Sequence, residues 1–313
     1  MRAVTISEDS LGVEEHPDPV PGPGEVLVTV HAAGVNGADM LQRKGAYPAP
    51  PGSPPDIPGL ELAGEVAICG LGAERFEVGD RVMAIVGGGG QAELAVVHER
   101  AAMPVPDALD WTRAGGASEV FVTAHDALFS QAGLRSGERL LVHGGAGGVG
   151  TAAVQLGRAA GARVLATVRG EELRGAVAGL GATVLAPEEF TDHGPFDVVL
   201  ELVGAPNLGG DLKSLATGGR VVVIGVGAGF KAELNLLTLM GKGATVGGAT
   251  LRARPLEEKA AAMRLVEREV LPLFDSGALT VPVAETFPLE QAEAAYDRFA
   301  AGGKLGKIVL LMR

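Results

Sequence analysis

A glycine-rich stretch near the middle of the chain decides the fold: Leu140-Leu-Val-His-Gly-Gly-Ala-Gly-Gly-Val-Gly150, followed by Thr151-Ala-Ala-Val-Gln-Leu-Gly-Arg-Ala-Ala160. The apolar run at its start is long enough for a buried strand, and five of the seven residues from Gly144 to Gly150 are glycine. Beyond them, small and apolar residues recur at helical spacing on one face. The pattern therefore predicts a strand, a glycine turn and a helix in direct succession.

Gly145, Gly147 and Gly150 in this turn have the spacing G-x-G-x-x-G. The first glycine permits a sharp turn, the second lets a pyrophosphate approach the backbone, and the third lets the helix pack against the strand. The helix N-terminus adds unpaired N–H groups and a positive dipole end. Because the flanking segments are periodic, the motif indicates a dinucleotide-binding corner rather than a flexible linker. The expected contacts are Gly145, Ala146, Gly147, Gly148, Val149 and Gly150.

The composition sets limits on partners and location. A length of 313 residues favours two domains, and 47% hydrophobic residues suffice for sizeable cores. The net charge of −12 argues against nucleic acid or an anionic membrane surface as a partner. One cysteine and the absence of a targeting or membrane-spanning pattern predict a cytoplasmic protein.

The first third of the chain has the pattern of a β-rich domain. Short apolar runs alternate with glycine and proline, which favours a small barrel or sandwich. These runs are Arg2–Ile6, Glu25–His31, Gly64–Cys69, Val78–Val86 and Gln91–Val97. Two loops look functional: one at 32–40 around Asn36, and one at 43–61 around Tyr47, whose six prolines exclude helix and central strand.

From about Val120 strands alternate with helical segments, among them Glu171–Gly179 and Asn207–Ala216. Six apolar strands joined by crossovers predict a parallel, doubly wound sheet with the ligand at the carboxyl ends of the strands. They are Leu140–His143, Arg163–Val168, Thr183–Ala186, Asp197–Leu202, Arg220–Gly225 and Ala244–Thr250.

The end of the second of these strands bears on the choice of cofactor. NAD-binding sites of this kind place an acid there for the ribose 2′-hydroxyl, whereas this chain has Arg169. A guanidinium can hold a 2′-phosphate through paired N–H bonds. Glu171 and Glu172 weaken the argument, although acids also favour the first turn of a helix. The sequence thus favours NADPH over NADH.

The last sixty residues predict a helix at 255–274, a strand at 281–287, a helix at 288–301 and a closing strand at 306–312. A final strand after two helices suggests that the chain returns to its first domain.

Five segments together resemble the medium-chain dehydrogenase/reductase superfamily, in its zinc-free quinone oxidoreductase branch. They are Val142–Gly150, Ala33–Asp39, Pro58–Val66, Gly79–Val82 and Gly306–Val309. The resemblance implies an α/β protein in which a Rossmann domain, 119–254, is inserted into a GroES-like β-barrel catalytic domain, 1–118 and 255–313. It also implies a cleft between the domains and a homodimer formed through the strand 244–250.

The resemblance further implies site residues. Asn36, Tyr47 and Thr123 would lie by the nicotinamide, and Arg174 follows Arg169 where related enzymes have a lysine. Further cofactor contacts would be Ile224, Gly225, Val226, Gly227, Ala249, Thr250, Leu251, Arg252 and Lys307. The sequence departs from the family at Ala186, where a tyrosine is common, and at Glu201, where aspartate is more usual.

No metal is expected. Zinc-dependent relatives have a cysteine where this chain has Asn36 and a histidine where it has Leu60, and catalytic zinc needs three protein ligands. The six histidines show no ligand spacing. The favoured function is reduction of a quinone or another α,β-unsaturated carbonyl by NADPH. Two alternatives stay open: an enoyl-thioester reductase with Tyr47 as proton donor, and a non-catalytic NADPH-binding protein.

Overall fold

The computed structural model describes residues 1–7 and 10–312. It divides into two compact units. The first comprises Met1–Val122, Leu251–Gly302 and Lys307–Arg313, and the second comprises Thr123–Thr250 and Gly303–Gly306. The nucleotide domain expected at 119–254 begins and ends a few residues outside the second unit.

The described strands, in chain order, are β1 (Arg2–Ser7), β2 (Ser10–Glu15), β3 (Glu25–Val35), β4 (Glu61–Cys69), β5 (Arg81–Ile85), β6 (Leu94–His98), β7 (Ala102–Pro104), β8 (Arg139–Val142), β9 (Arg163–Thr167), β10 (Thr183–Leu185), β11 (Phe196–Glu201), β12 (Leu215–Val223), β13 (Thr245–Gly248), β14 (Val283–Pro288) and β15 (Lys307–Leu311).

The described α-helices are α1 (Gly37–Arg43), α2 (Trp111–Ala114), α3 (Ser118–His125), α4 (Gly148–Ala159), α5 (Glu171–Gly179), α6 (Ala205–Ser214), α7 (Leu236–Lys242), α8 (Leu256–Glu269), α9 (Leu271–Asp275) and α10 (Ala292–Ala301). A π-helical segment, Asp126–Gln131, continues α3. None of the described helices combines the length and the apolar character needed to cross a bilayer.

The second unit is built on one parallel sheet in the order β10-β9-β8-β11-β12-β13. This order confirms the predicted doubly wound α/β fold, because the chain leaves β8 in one direction to β9 and β10 and returns on its other side. Buried side chains of β8, β11, β12 and α6 form a core, among them Leu141, Val199, Val221 and Leu212.

The first unit is built on a mainly antiparallel sheet in the order β14-β15-β3-β4-β5-β7, with β6 also paired to β3. The C-terminal strand β15 lies beside β3, so the expected return of the chain to its first domain is confirmed. Its core joins the two ends of the chain, with Tyr296 of α10 fully buried among residues of β3 and β4 such as Val28 and Leu62.

Three local predictions were wrong. The helix expected at 255–274 is two helices, because Pro272 lacks the N–H that would continue α8 across Val270. The helix expected at 288–301 begins only at Ala292, after a 3₁₀ turn. The loop expected at 32–40 is instead the end of β3 and the start of α1.

Candidate functional site

The glycine corner joins β8 to α4 as the motif predicts. Gly144 has φ of +69°, a left-handed conformation that favours glycine. A Cβ at Gly150 would lie 2.3 Å from the carbonyl oxygen of Gly144, so only glycine fits where the helix meets the turn. A Cβ at Gly147 would meet only that oxygen, at 3.4 Å. Gly147 thus leaves a cradle beside the N-terminus of α4 that a phosphate can enter.

The predicted cofactor residues of the second unit gather at one edge of its sheet. All six strands are parallel, so the segments that follow them lie at the same edge. Arg169 follows β9 and is exposed, and Arg174 of α5 donates to the carbonyl of Val168, 3.2 Å away. The remaining predicted residues follow β12 and β13: Ile224, Gly225, Val226, Gly227, Ala249 and Thr250.

A contact that the sequence did not suggest reaches the glycine corner from the other end of the chain. The N–H of Gly306 donates to the carbonyl of Ala146 at 2.8 Å, and Gly306 forms a parallel bridge with Gly147. The segment Gly303–Gly306 belongs to the second unit for this reason. Its sequence, Gly-Lys-Leu-Gly, has no pattern that would indicate such a partner.

A buried polar cluster supports the ends of the strands below this corner. His143 bridges Thr167 Oγ1, 3.0 Å from Nδ1, and Asp211 Oδ1, 2.9 Å from Nε2. Glu201 lies 4.0 Å from the same Nε2 and accepts the N–H groups of Val203 and Gly204. Burial raises the pKa of the Glu201 carboxyl, although His143 opposes the shift. The hydrogen bonds of His143 and Glu201 link the ends of β8, β9 and β11, while Glu201 Oε2 and Asp211 Oδ2 are buried without a hydrogen-bond partner.

In the first unit, Asn36 stands at the junction of β3 and α1. Asn36 is the N-cap and forms a capping box with Asp39: the Oδ2 of Asp39 accepts the N–H of Asn36 at 2.8 Å, and its Oδ1 accepts the N–H of Gly59 at 3.1 Å. Asp39 is fully buried, and desolvation raises its pKa from 3.8 to about 6 against these two hydrogen bonds. The Asn36 side chain has further partners on two strands.

Those partners are Glu61 of β4 and Lys307 of β15. Asn36 Nδ2 donates to Glu61 Oε1 at 3.0 Å, and Lys307 Nζ donates to Asn36 Oδ1 at 2.6 Å. Lys307 Nζ also lies 2.7 Å from Glu61 Oε1 and donates to the carbonyl of Val35 at 3.0 Å. The structure gives this ammonium three protein acceptors, and its predicted contact with the cofactor stays a prediction.

Tyr47, half-buried at the start of the proline loop, is held by Arg252. The guanidinium lies 5.0 Å from the centroid of the Tyr47 ring and donates to the carbonyl of Tyr47 at 2.9 Å. It also donates to the carbonyl of Gly87 at 2.8 Å and to Gln42 Oε1. Arg252 and its neighbour Leu251 are buried in the first unit. Arg252 thus clamps the loop, and its predicted contact with the cofactor stays a prediction.

Burial raises the pKa of the Tyr47 hydroxyl, and Arg252 opposes this shift. The phenol is therefore protonated at neutral pH and can give a proton. Thr123 lies on α3 and is 8% exposed.

Comparisons with known proteins agree with this architecture. Residues 22–107 match the family described as alcohol dehydrogenase GroES-like domain, and residues 180–310 match the family described as zinc-binding dehydrogenase. The quinone oxidoreductase of Rattus norvegicus is 34% identical over 307 residues, which cover 94% of this chain and 91% of the relative. The chain belongs to the quinone oxidoreductase branch of the medium-chain dehydrogenase/reductase superfamily. The protein is accordingly an oxidoreductase that uses a nicotinamide cofactor.

Further members of the superfamily share the fold. An alcohol dehydrogenase superfamily protein from Novosphingobium aromaticivorans is 30% identical, with a TM-score of 0.88 and full coverage of both chains. A cobalt- and zinc-bound alcohol dehydrogenase from Pyrobaculum aerophilum is 29% identical, with a TM-score of 0.85 and 99% coverage of both chains. A segment comprising 14% of a mycocerosic acid synthase-like polyketide synthase from Mycobacterium tuberculosis is 32% identical over 93% of this chain.

The residues around Asn36 do not fit the zinc that one family description names. Leu60 is apolar and 2% exposed, and Asn36 is engaged by Glu61 and Lys307. Glu61 is the carboxylate that accepts from the side-chain amide of Asn36, and its charge is already paired with the ammonium of Lys307 at 2.7 Å. Catalytic zinc needs three histidine, cysteine or carboxylate ligands, which this set does not supply.

Proposed function

We propose that the protein is an NADPH-dependent, zinc-free reductase of quinones or other α,β-unsaturated carbonyls. The observation that carries the NADPH assignment is Arg169, exposed directly beyond β9 where a carboxylate would select NADH. The quinone oxidoreductases of Rattus norvegicus and Mus musculus, 34% and 35% identical, support the substrate class.

In this proposal, groups of the chain itself bind and protonate the acceptor. Bound NADPH supplies the hydride. The glycine corner and the N-terminus of α4 would hold its pyrophosphate, and Arg169 with Arg174 would face the 2′-phosphate. Asn36 would donate an N–H to the acceptor's carbonyl oxygen as negative charge develops there. The Tyr47 hydroxyl, or water, would then supply the proton that completes the addition of two hydrogens.

The test of the cofactor assignment compares Arg169→Ala with Arg163→Ala, which alters the opposite end of the same strand. Arg163 donates to the carbonyl of Gly137 and faces away from the ligand edge. Calorimetry should show that Arg169→Ala weakens NADPH binding about 10- to 100-fold, the loss of a charge-assisted hydrogen bond, while NADH affinity stays unchanged. An equal loss for both nucleotides would rule out the role of Arg169.

An enoyl-thioester reductase is the second candidate. The likeness to a segment of a polyketide synthase supports it, whereas Tyr47 would donate the proton in both candidates. Assays of NADPH oxidation with a quinone and with a crotonyl thioester separate the two candidates. Activity on the thioester alone would show that the protein is an enoyl-thioester reductase and not a quinone reductase. A non-catalytic protein would bind NADPH and turn over neither.

We also propose a homodimer formed through the second unit. Strand β13 is at the edge of the sheet, and the adjacent helix α7 exposes Leu236, Leu237 and Met240 by 63%, 81% and 74%. An exposed edge beside an apolar helix face is typical of an interaction surface. A cytoplasmic location remains a prediction.

A further inference from the structure

We infer that Glu61 and Lys307 are positioning residues that fix which way the Asn36 amide faces. The inference rests on the proposed function, in which Asn36 donates an N–H to the acceptor. It assigns to the buried ion pair the task of presenting that N–H, rather than the binding of cofactor or metal.

The chemistry of the two partners determines the amide orientation. An ammonium group only donates hydrogen bonds and an ionised carboxylate only accepts them. Lys307 Nζ, 2.6 Å away, must therefore face Asn36 Oδ1, and Glu61 Oε1, 3.0 Å away, must face Nδ2. Reversing the amide would place its NH₂ against the ammonium of Lys307 and its oxygen against the carboxylate of Glu61. Neither mismatch could be relieved by water, because the site is buried.

The pair itself has little freedom to move. Glu61 is completely buried and Lys307 is 3% exposed. The second oxygen of Glu61 accepts the N–H of Glu119 at 2.9 Å, and a Cβ on Gly34 would lie 2.2 Å from its first oxygen. The three N–H groups of the Lys307 ammonium donate to the carbonyl of Val35, Asn36 Oδ1 and Glu61 Oε1. A side chain surrounded in this way keeps one rotamer, and so does the amide that it holds.

One N–H of Asn36 remains for the acceptor. Nδ2 has two hydrogens, of which Glu61 takes one, and the next acceptor is the carbonyl of Gly34 at the limiting distance of 3.5 Å. The ammonium on Oδ1 polarises the amide and strengthens the remaining donor. The ion pair thus acts on the reaction through Asn36.

The experiment uses the double variant Glu61→Gln/Lys307→Met. The introduced glutamine can keep its oxygen on the N–H of Glu119 and turn its NH₂ toward Asn36, which would then present Oδ1 and rotate its own NH₂ away. Because both charges are removed together, no unpaired charge stays buried. The matched control is Glu138→Gln/Arg220→Met, which removes a half-buried ion pair of 2.9 Å in the second unit.

We expect kcat of the Glu61/Lys307 variant to fall about 10- to 100-fold, the cost of losing one donor to the developing charge, with KM for NADPH within about twofold. The control should keep wild-type kcat. The ¹⁵N-labelled side-chain amide of Asn36, assigned by its loss in Asn36→Ala, should shift in the variant and not in the control.

A folded double variant with wild-type kcat, or with an unshifted Asn36 amide, overturns the inference. If the double variant does not fold, Glu61→Asp serves, since it keeps the charge but withdraws the oxygen from Nδ2; an unshifted amide in that variant is equally decisive. If the wild type reduces no quinone or enone, the proposed function fails instead, and the amide resonance still decides the orientation.

Discussion

The guanidinium of Arg252 lies over the ring of Tyr47, 5.0 Å from its centroid, and binds the carbonyl of the same residue. The two are 205 residues apart. Through this relationship the segment that follows the parallel sheet holds a loop from the first third of the chain. The six prolines of this loop cannot donate backbone hydrogen bonds, and a buried arginine adds hydrogen bonds that stabilise the loop.

Replacing Arg252 by Met should loosen this loop. Three acceptors would lose their donor in a buried place, so we expect the unfolding free energy to fall by about 2–4 kcal/mol. The kcat should fall as well because Tyr47 loses its fixed position, with KM for NADPH unchanged. Urea unfolding and steady-state kinetics measure both. Arg268 is an exposed arginine paired with Glu269, so Arg268→Met should change neither the unfolding free energy nor kcat. Comparable losses in that control would show that the contacts of Arg252 are not their cause.

Three glycine-to-alanine substitutions separate folding from binding. Gly150→Ala should destabilise the protein severely, since its Cβ would lie 2.3 Å from the carbonyl of Gly144. Gly147→Ala should fold, with its nearest contact at 3.4 Å, yet lose NADPH affinity because the methyl fills the phosphate cradle. Gly175→Ala in α5 meets nothing within 4 Å and should bind normally, with about 1 kcal/mol greater stability. Thermal melts measure the stability and calorimetry the NADPH affinity. An undiminished NADPH affinity in Gly147→Ala would contradict the proposal that a phosphate lies beside Gly147.

The raised pKa of Asp39 predicts a pH dependence of stability. Its carboxyl has a pKa of about 6 in the folded protein against 3.8 ordinarily, so the folded state binds the proton more tightly. Its stabilising contribution is complete below about pH 4 and is lost as the pH rises through about 6, by about 3 kcal/mol. The difference in unfolding free energy between wild type and Asp39→Asn should fall over this interval and then stay level. A difference that rises with pH would mean that the carboxylate is the favoured form.

The proposed dimer has a direct test on α7. Leu237→Glu places a charge on a side chain that is 81% exposed on α7, the helix that precedes the edge strand β13. Light scattering should show a monomer for this variant and a dimer for the wild type. Leu71→Glu, on an equally exposed leucine of the first unit at 83%, should remain dimeric. A wild-type monomer at micromolar concentration, or a dimer that survives Leu237→Glu, would contradict the proposed interface.

Local patterns allowed much of the second unit to be predicted. The helix at Glu171–Gly179 was expected with the bounds it has, and all six parallel strands were expected close to their observed positions. Buried parallel strands are continuously apolar, so each strand can be recognised from its own local sequence. Strand β2 was missed because it is short and mostly exposed, with Leu11 alone buried.

The site was less predictable, for physical reasons. Asn36-Gly37 has the pattern of a turn, and the helix it opens depends on Asp39 and Gly59. The partner of Asn36, Lys307, is 271 residues away. Local sequence holds no signal for such a pair, since it exists only because β15 returns beside β3.

Turnover and metal content measured on the same purified sample decide whether the protein is a zinc-free NADPH-dependent reductase. We expect NADPH to bind, to be oxidised when a quinone or enone is added, and turnover to persist at substoichiometric zinc and in the presence of a chelator. Absence of NADPH binding, or activity that rises and falls with stoichiometric zinc, would contradict this expectation.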